Sequence, residues 1–211
     1  GLAEDTIVLL WSDHGDFAGE RRLVEKWPAC CADSITRIPA VLSVPGLPAA
    51  SIDGLVEAID LMPTLLDACG LGVPDGINGR SLLPYLSDPK SRPDNEIRPY
   101  VTCHAGWEPE LAQRLLTVAG DRAGWKYRAL EAAPTAMNRT VMLRTRSHKY
   151  VVRAGGADEL YDLVADPTEC HDIAGDPSSG PLLAGLRRDL LDALLLGADR
   201  RPVPELEELL L

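Results

Sequence analysis

Thr6-Ile7-Val8-Leu9-Leu10-Trp11 runs directly into Ser12-Asp13-His14-Gly15-Asp16, and the reading of this junction decides the fold. An unbroken run of apolar and β-branched residues describes a strand covered on both faces, the pattern of a central strand in a parallel sheet. The run stops abruptly at acid, imidazole and glycine. In open α/β sheets the C-terminal tip of a strand is where ligands bind. Asp13 and His14 can offer a carboxylate oxygen and an imidazole nitrogen to a divalent cation, while Gly15 lets the backbone turn away without a Cβ clash. The same residues also suit a polar strand exit in which Asp13 caps a turn and His14 is merely exposed. Their chemistry alone leaves both readings open.

Working outward, the chain to about residue 90 alternates strand and helix signals. Strands are expected over 6–11 and 38–44, with a mixed segment over 52–59. A helix follows in which Asp60 caps, Pro63 sits in the first turn, Leu61, Leu65, Leu66 and Cys69 face inward, and Gly70 ends it. From Gly70 to Pro99, Gly, Pro, Asp and Asn mark a surface connection anchored by Leu82, Leu83, Tyr85 and Leu86, and the domain boundary is placed there. Beyond it, short strands at 100–102, 140–144, 149–153 and 159–163 are separated by turns too tight for anything but antiparallel pairing. Residues 181–197 read as a helix with Leu183, Leu186, Leu190 and Leu194 on one face and Ser179 as a cap. Residues 202–211 suit a short helix or a loose tail. The class is α/β: residues 1–90 belong to a main sheet layer, and residues 91–211 form a second subdomain with a small antiparallel sheet and a packing helix.

With 211 residues and 45% apolar content the chain can build a core, and its formal charge of −11 has no basic stripe to set against it. Arg21, Arg22 and Lys26 are interrupted by Glu20 and Glu25, so binding nucleic acid through a phosphate-neutralising face is not expected. No apolar run approaches the roughly 20 residues that cross a bilayer. Five cysteines, an odd number without C-x-x-C spacing, argue against a disulfide framework and lean towards a reducing, cytoplasmic compartment. A zinc site from Cys103-His104 and Cys170-His171 lacks the usual ligand spacing. The opening Gly1-Leu2-Ala3-Glu4-Asp5 has neither an initiator methionine nor a secretory leader, and the expectation is that the natural chain continues upstream.

Several pieces, in order, carry a family resemblance. Ser12-Asp13-His14-Gly15 is followed by Asp16 and Lys26, then by Asp33-Ser34 with Arg37 and Pro39 and a strand ending Pro45-Gly46. Asp60 with Pro63-Thr64-Leu65-Leu66 and Gly70 comes next, then Gly79-Arg80-Ser81-Leu82-Leu83-Pro84, and finally Glu159-Leu160-Tyr161-Asp162-Leu163 with Asp166-Pro167 and Glu169. The series resembles the C-terminal portion of type I sulfatases of the alkaline phosphatase superfamily.

The resemblance implies that Asp13 and His14 are metal ligands for Ca²⁺, or Mg²⁺ or Mn²⁺, and that further acidic ligands lie on an earlier strand. It implies that Lys26 contacts the sulfate, where an ammonium can stabilise charge as the S–O bond is made and broken. The family nucleophile is a formylglycine made from Cys or Ser in a C/S-x-P-x-R setting, and no cysteine or serine here has that setting, so it is expected upstream. The implied activity is hydrolysis of a small-molecule or glycan sulfate ester, with a phosphonate or phosphodiester as the alternative and with the isolated chain inactive; a homo-oligomer is left open.

Departures from the family pattern are Ala29-Cys30-Cys31-Ala32 in place of an aromatic and acidic run, Arg21-Arg22 in place of His-Gly, and Cys103-His104-Ala105-Gly106-Trp107 in place of S-E-G-G. The last makes His104 a candidate substrate contact or a capped strand end. Without the motif, Lys26 would be an ordinary surface lysine paired with Glu25. Arg37 is expected to tie the loop to a carboxylate, and Asp16 to orient His14 from behind.

Overall fold

The computed structural model describes residues 1–88, 97–119 and 124–197. The chain divides into two units that interleave in sequence: one of Gly1–Val8, Ser43–Val101 and Arg187–Leu211, the other of Leu9–Leu42 and Thr102–Leu186. Each unit therefore draws segments from both sides of a cut near residue 90.

Strand β1 (Val8–Trp11) pairs with β2 (Ala40–Ser43) in a two-stranded sheet. The expectation of a strand buried on both faces is corrected here, since Val8, Leu10 and Trp11 are 56%, 66% and 49% exposed. The reason is local: β1 has one strand neighbour among the described residues, and a two-stranded ribbon cannot cover its own faces. Val41 of β2 is likewise exposed.

In the first unit, a 3₁₀ turn at Ala58–Asp60 leads into helix α2 (Leu61–Ala68), and α3 (Leu83–Ser87) packs nearby. Gly70, at φ +68°, ends α2 as expected. Asp60 stands at the N-cap position of α2 but makes no side-chain cap bond to that helix; its side chain instead closes the capping box of the preceding turn. Its carboxylate is fully buried, accepts from the Glu57 N–H at 2.8 Å and the Arg80 N–H at 3.0 Å, and pairs with the Arg98 guanidinium at 2.5 Å. Thr64 bridges its surroundings, donating to the Asp60 carbonyl at 2.6 Å and accepting from the Leu82 N–H at 2.9 Å. Leu82 is buried, so the expected anchor holds α3 in place.

In the second unit, β3 (Val101–Ala105), β4 (Thr140–Arg144), β5 (His148–Arg153) and β6 (Glu159–Asp162) form one sheet in that order. The β4–β5 pair is antiparallel with Met142 opposite Val151, and the β5–β6 pair is antiparallel with Tyr150 opposite Leu160. Leu143, Tyr150 and Leu160 are fully buried, each contributing about 1.5–3 kcal/mol of apolar burial.

A short helix α1 (Asp33–Thr36) follows the loop after β1. Helices α4 (Pro109–Ala119) and α5 (Gly124–Ala132), which no sequence pattern above anticipates, build a cluster of Ala112, Leu116, Leu130 and Met137. The final helix α6 (Gly180–Gly197) carries Leu186 and Leu190 buried on the expected face. The 3₁₀ turn before it, Pro177–Ser179, is capped by Asp176, whose carboxylate accepts from the Ser178 N–H at 2.8 Å, and Ser179 directly precedes α6. The expectation for 202–211 lies outside the described residues.

Removing the Asp60 carboxylate leaves the buried Arg98 guanidinium with Glu57 as its one remaining carboxylate, and losing one member of a buried ion cluster costs up to about 3–5 kcal/mol. Asp60→Ala is expected to lower unfolding stability by that amount in a urea titration, and a loss under about 1 kcal/mol would show that the ion pair is not structural.

Candidate functional site

The end of β1 turns sharply at Ser12–Gly15 because local groups satisfy the backbone there. The Ser12 hydroxyl donates to the His14 carbonyl at 2.6 Å, the Asp13 carboxylate accepts from the His14 N–H at 2.9 Å, and the Gly15 N–H donates to the Ile35 carbonyl at 2.8 Å. Gly15 lies against the Ser34 carbonyl so closely that a Cβ would come within 1.9 Å of its oxygen. Glycine is required here by close approach to a neighbouring backbone.

His14 is oriented by its own neighbours. Its Nδ1 lies 2.8 Å from the Gly15 carbonyl, which can only accept, so Nδ1 carries the proton and Nε2 keeps its lone pair. That lone pair faces the Lys26 ammonium at 2.9 Å, and Nε2 lies 3.5 Å from the Asp13 carboxylate. Asp13, His14 and Lys26, brought together from the strand tip and the following loop, thus converge at one place. Asp16 is not behind His14: its carboxylate accepts from the Ala18 N–H at 2.7 Å, and the Gly15 carbonyl takes the orienting role. Glu25 is not the partner of Lys26 either, because it pairs with Lys126 of α5 at 2.9 Å.

The loop that aims Lys26 is unusual in its backbone. Ala18, Arg21, Arg22, Glu25 and Ala29 all have positive φ, between 46° and 62°, a region that costs L-residues energy and persists only where surroundings impose it. Three contacts impose it. Trp27 packs against both the Ala112–Leu116–Leu130–Met137 cluster and the Phe17–Ala32–Ile35 cluster. The Lys126 ammonium donates to the Lys26 carbonyl and lies 5.7 Å from the Trp27 ring centroid.

The third contact is an ion cluster. Lys149, with a side chain 1% exposed, donates to the Cys31 carbonyl at 2.8 Å and to Asp33 at 2.6 Å, and pairs with Glu169. Arg144 makes a two-pronged contact to Asp33 at 3.1 and 3.0 Å, and Arg21 pairs with Glu169 at 2.8 Å. The carboxylate that holds this loop is therefore Asp33, through Arg144 and Lys149. Arg37, expected to do so, is exposed and shows no ion pair among the described residues. Burial works to raise the Asp33 carboxyl, but the hydrogen bonds and charges of Arg144 and Lys149 outweigh it and hold it below the usual range.

His104 sits exposed on β3, and no hydrogen bond among the described residues links it to Asp13, His14 or Lys26. Asp13 and His14 present an oxygen and an unprotonated nitrogen on one side, which suits one divalent cation. They are two donors only: no group of three or more His, Cys, Asp or Glu among the described residues could hold a metal. Lys126 and Lys149 were not legible as supports, because neither lies near the motif in sequence.

Residues 1–71 match the family model described as sulfatase. The chain is 32% identical over 178 residues to arylsulfatase K of Bos taurus, an alignment covering 82% of this chain and 28% of that protein. A solved 2-O GAG sulfatase superposes with a TM-score of 0.71 at 27% identity, over 93% of this chain and 37% of its own. The phosphonate monoester hydrolase of Silicibacter pomeroyi superposes with the same TM-score of 0.71 at 27% identity, over 92% and 35%. The chain thus spans about a third of the length of the proteins it matches.

Gly15→Ala forces the tip away from Ser34, and overpacking of this kind costs about 1–3 kcal/mol; a lower urea midpoint is expected, and an unchanged one would mean the tip relaxes freely. The ion cluster predicts a pH dependence with a definite sign. Because Asp33 is depressed in the folded chain, its stabilisation is complete above the unfolded aspartate value near 4 and is lost as pH falls through the lower folded value. Thermal scans from pH 7 downward should show a steeper loss of stability below about pH 4 in the parent than in Asp33→Asn. Parallel curves would contradict the assignment.

Proposed function

This chain belongs to the sulfatase family of the alkaline phosphatase superfamily, and we propose that it forms part of a sulfuric ester hydrolase. The observation that carries the reading is the convergence of the His14 Nε2 lone pair, the Asp13 carboxylate and the Lys26 ammonium at the tip of β1. Asp13 and His14 would hold a divalent cation, Ca²⁺ in the leading assignment, whose chemistry is to polarise the ester and its attacking group. Fixing the Nδ1 proton on the Gly15 carbonyl keeps Nε2 available for that purpose, as metal-binding imidazoles require.

Lys26 is exposed, so its ammonium can meet a sulfate oxygen where negative charge develops on the departing group. His104, exposed on the edge of the second unit's sheet, is assigned a contact with the substrate beyond the sulfate. The attacking formylglycine is assigned to a residue outside these 211 residues, since no Cys or Ser here stands in the C/S-x-P-x-R setting. The substrate class is a sulfate ester on a small molecule or a glycan, the latter favoured by the likeness to a 2-O GAG sulfatase.

A phosphonate or phosphodiester hydrolase is the second reading, because the phosphonate monoester hydrolase superposes as well as the sulfatase does. A tetrahedral oxyanion of either kind fits one cation and one ammonium.

The test uses the full-length protein that contains this chain, assayed on matched aryl sulfate and phosphonate esters. Sulfate hydrolysis is expected to dominate, and Lys26→Ala is expected to lower kcat by about 10²–10³-fold, the usual loss when one charge-stabilising donor is removed. Preference for the phosphonate would select the second reading, and an unchanged kcat in Lys26→Ala would remove the lysine from the site. The 211 residues alone are expected to turn over neither ester.

A further inference from the structure

Cys31 and Cys103 are distant in sequence but meet in the fold. Cys31 is 4% exposed within a cluster formed with Met142 and Val151, and the partly buried Cys103 of β3 packs against that cluster. The two thiols are close enough for each to shift the acidity of the other. Cys31 is held in place by its own backbone, whose carbonyl accepts from the buried Lys149 ammonium at 2.8 Å. The adjacent Cys30 packs against a different group of side chains, Phe17, Ala32 and Ile35. No disulfide joins any of the five cysteines in the reduced chain, and Cys69 and Cys170 are exposed.

We propose that Cys31 and Cys103 are a latent disulfide pair that closes when the chain meets a low-molecular-weight disulfide such as oxidised glutathione. The bond would tie the loop that carries Lys26 to the strand that carries His104. Cys103 is the more accessible of the two and acts first. Interaction with the Cys31 side chain lowers the Cys103 thiol from its ordinary value, burial opposes this, and the Lys149 ammonium assists; the same interaction and burial raise Cys31. The Cys103 thiolate attacks one sulfur of glutathione disulfide, forming a mixed disulfide and releasing one glutathione thiolate. The Cys31 thiol then gives up its proton and displaces the second glutathione, leaving a Cys31–Cys103 bond. Two protein thiols are oxidised and one glutathione disulfide is reduced to two glutathiones.

The pairing is independent of the sulfatase assignment, and so is its test. The reduced native chain is incubated with oxidised glutathione, quenched by alkylation, digested without reductant and mapped by mass spectrometry. The expected product is a cross-linked peptide pair containing Cys31 and Cys103, lighter by two hydrogens than the sum of the reduced peptides. It should persist in Cys30→Ser and disappear in Cys103→Ser. A stable glutathione adduct on Cys103 with Cys31 still free, a cross-link through Cys30, or no modification of either residue would overturn the proposal. Because the first readout is made on the unsubstituted chain, a variant that fails to fold does not blunt it.

Discussion

The second unit depends on one buried ammonium. Lys149 lies on β5 with its side chain 1% exposed, and removing such a charge from water costs several kcal/mol unless every donor is met. It is met completely: three N–H donors face the Cys31 carbonyl, Asp33 and Glu169. Those acceptors come from separate stretches of chain, the loop before α1, α1 itself and the turn after β6. The Asp33 and Glu169 carboxylates are in turn held by Arg144 and Arg21. A mutually dependent set of this kind gives little net stability over an apolar replacement, but any one member cannot be lost cheaply. Its effect is positional: the loop can sit on the sheet in one register only.

That register matters because the loop is under backbone strain. Positive φ at Ala18, Arg21, Arg22, Glu25 and Ala29 opposes the folded conformation by an amount on the order of 1 kcal/mol at each residue. The cost is offset by contacts the loop makes with the rest of the unit: Trp27 between two apolar clusters, Lys126 on the Lys26 carbonyl, and the Lys149 set at Cys31 and Asp33. A relaxed loop would let Lys26 sweep freely through solvent. The observed one holds the ammonium 2.9 Å from His14, so the approach of the two groups is fixed by distant packing rather than by their own weak attraction.

What the sequence made legible follows the range of the interactions involved. Asp13, His14 and Gly15 could be read because their arrangement is set by bonds within a few residues and by the end of a strand. The antiparallel strands of the second unit were legible for the same reason, since tight turns dictate pairing. Asp60 was visible as a helix-start residue, but its ion pair with Arg98, 38 residues away, was not, and neither was the role of Lys149, 116 residues from Asp33, because nothing local marks a cation for so distant a partner. The burial of β1 was misjudged on a sound pattern: apolar periodicity reports what a strand can be covered by, and the cover is not supplied by β2. Helices α4 and α5 were missed because their apolar positions serve a small satellite cluster, too few residues to stand out from a polar loop.

The net charge of −11 also has to be read locally before it bears on an anionic ester. At physiological salt a charge is felt over about 8 Å, so carboxylates scattered over the rest of the surface contribute little at the strand tip. Near the tip, the carboxylates are largely spoken for. Asp33 and Glu169 are matched by Lys149, Arg144 and Arg21, and Glu25 is matched by Lys126. Asp13 is left with an exposed carboxylate beside an imidazole lone pair, which is attractive to a cation, and Lys26 is left without a carboxylate partner of its own in the bonds it makes, which is attractive to an anion. The tip thus offers opposite signs side by side, and such a pairing favours a cation and an oxyanion bound together over either one alone.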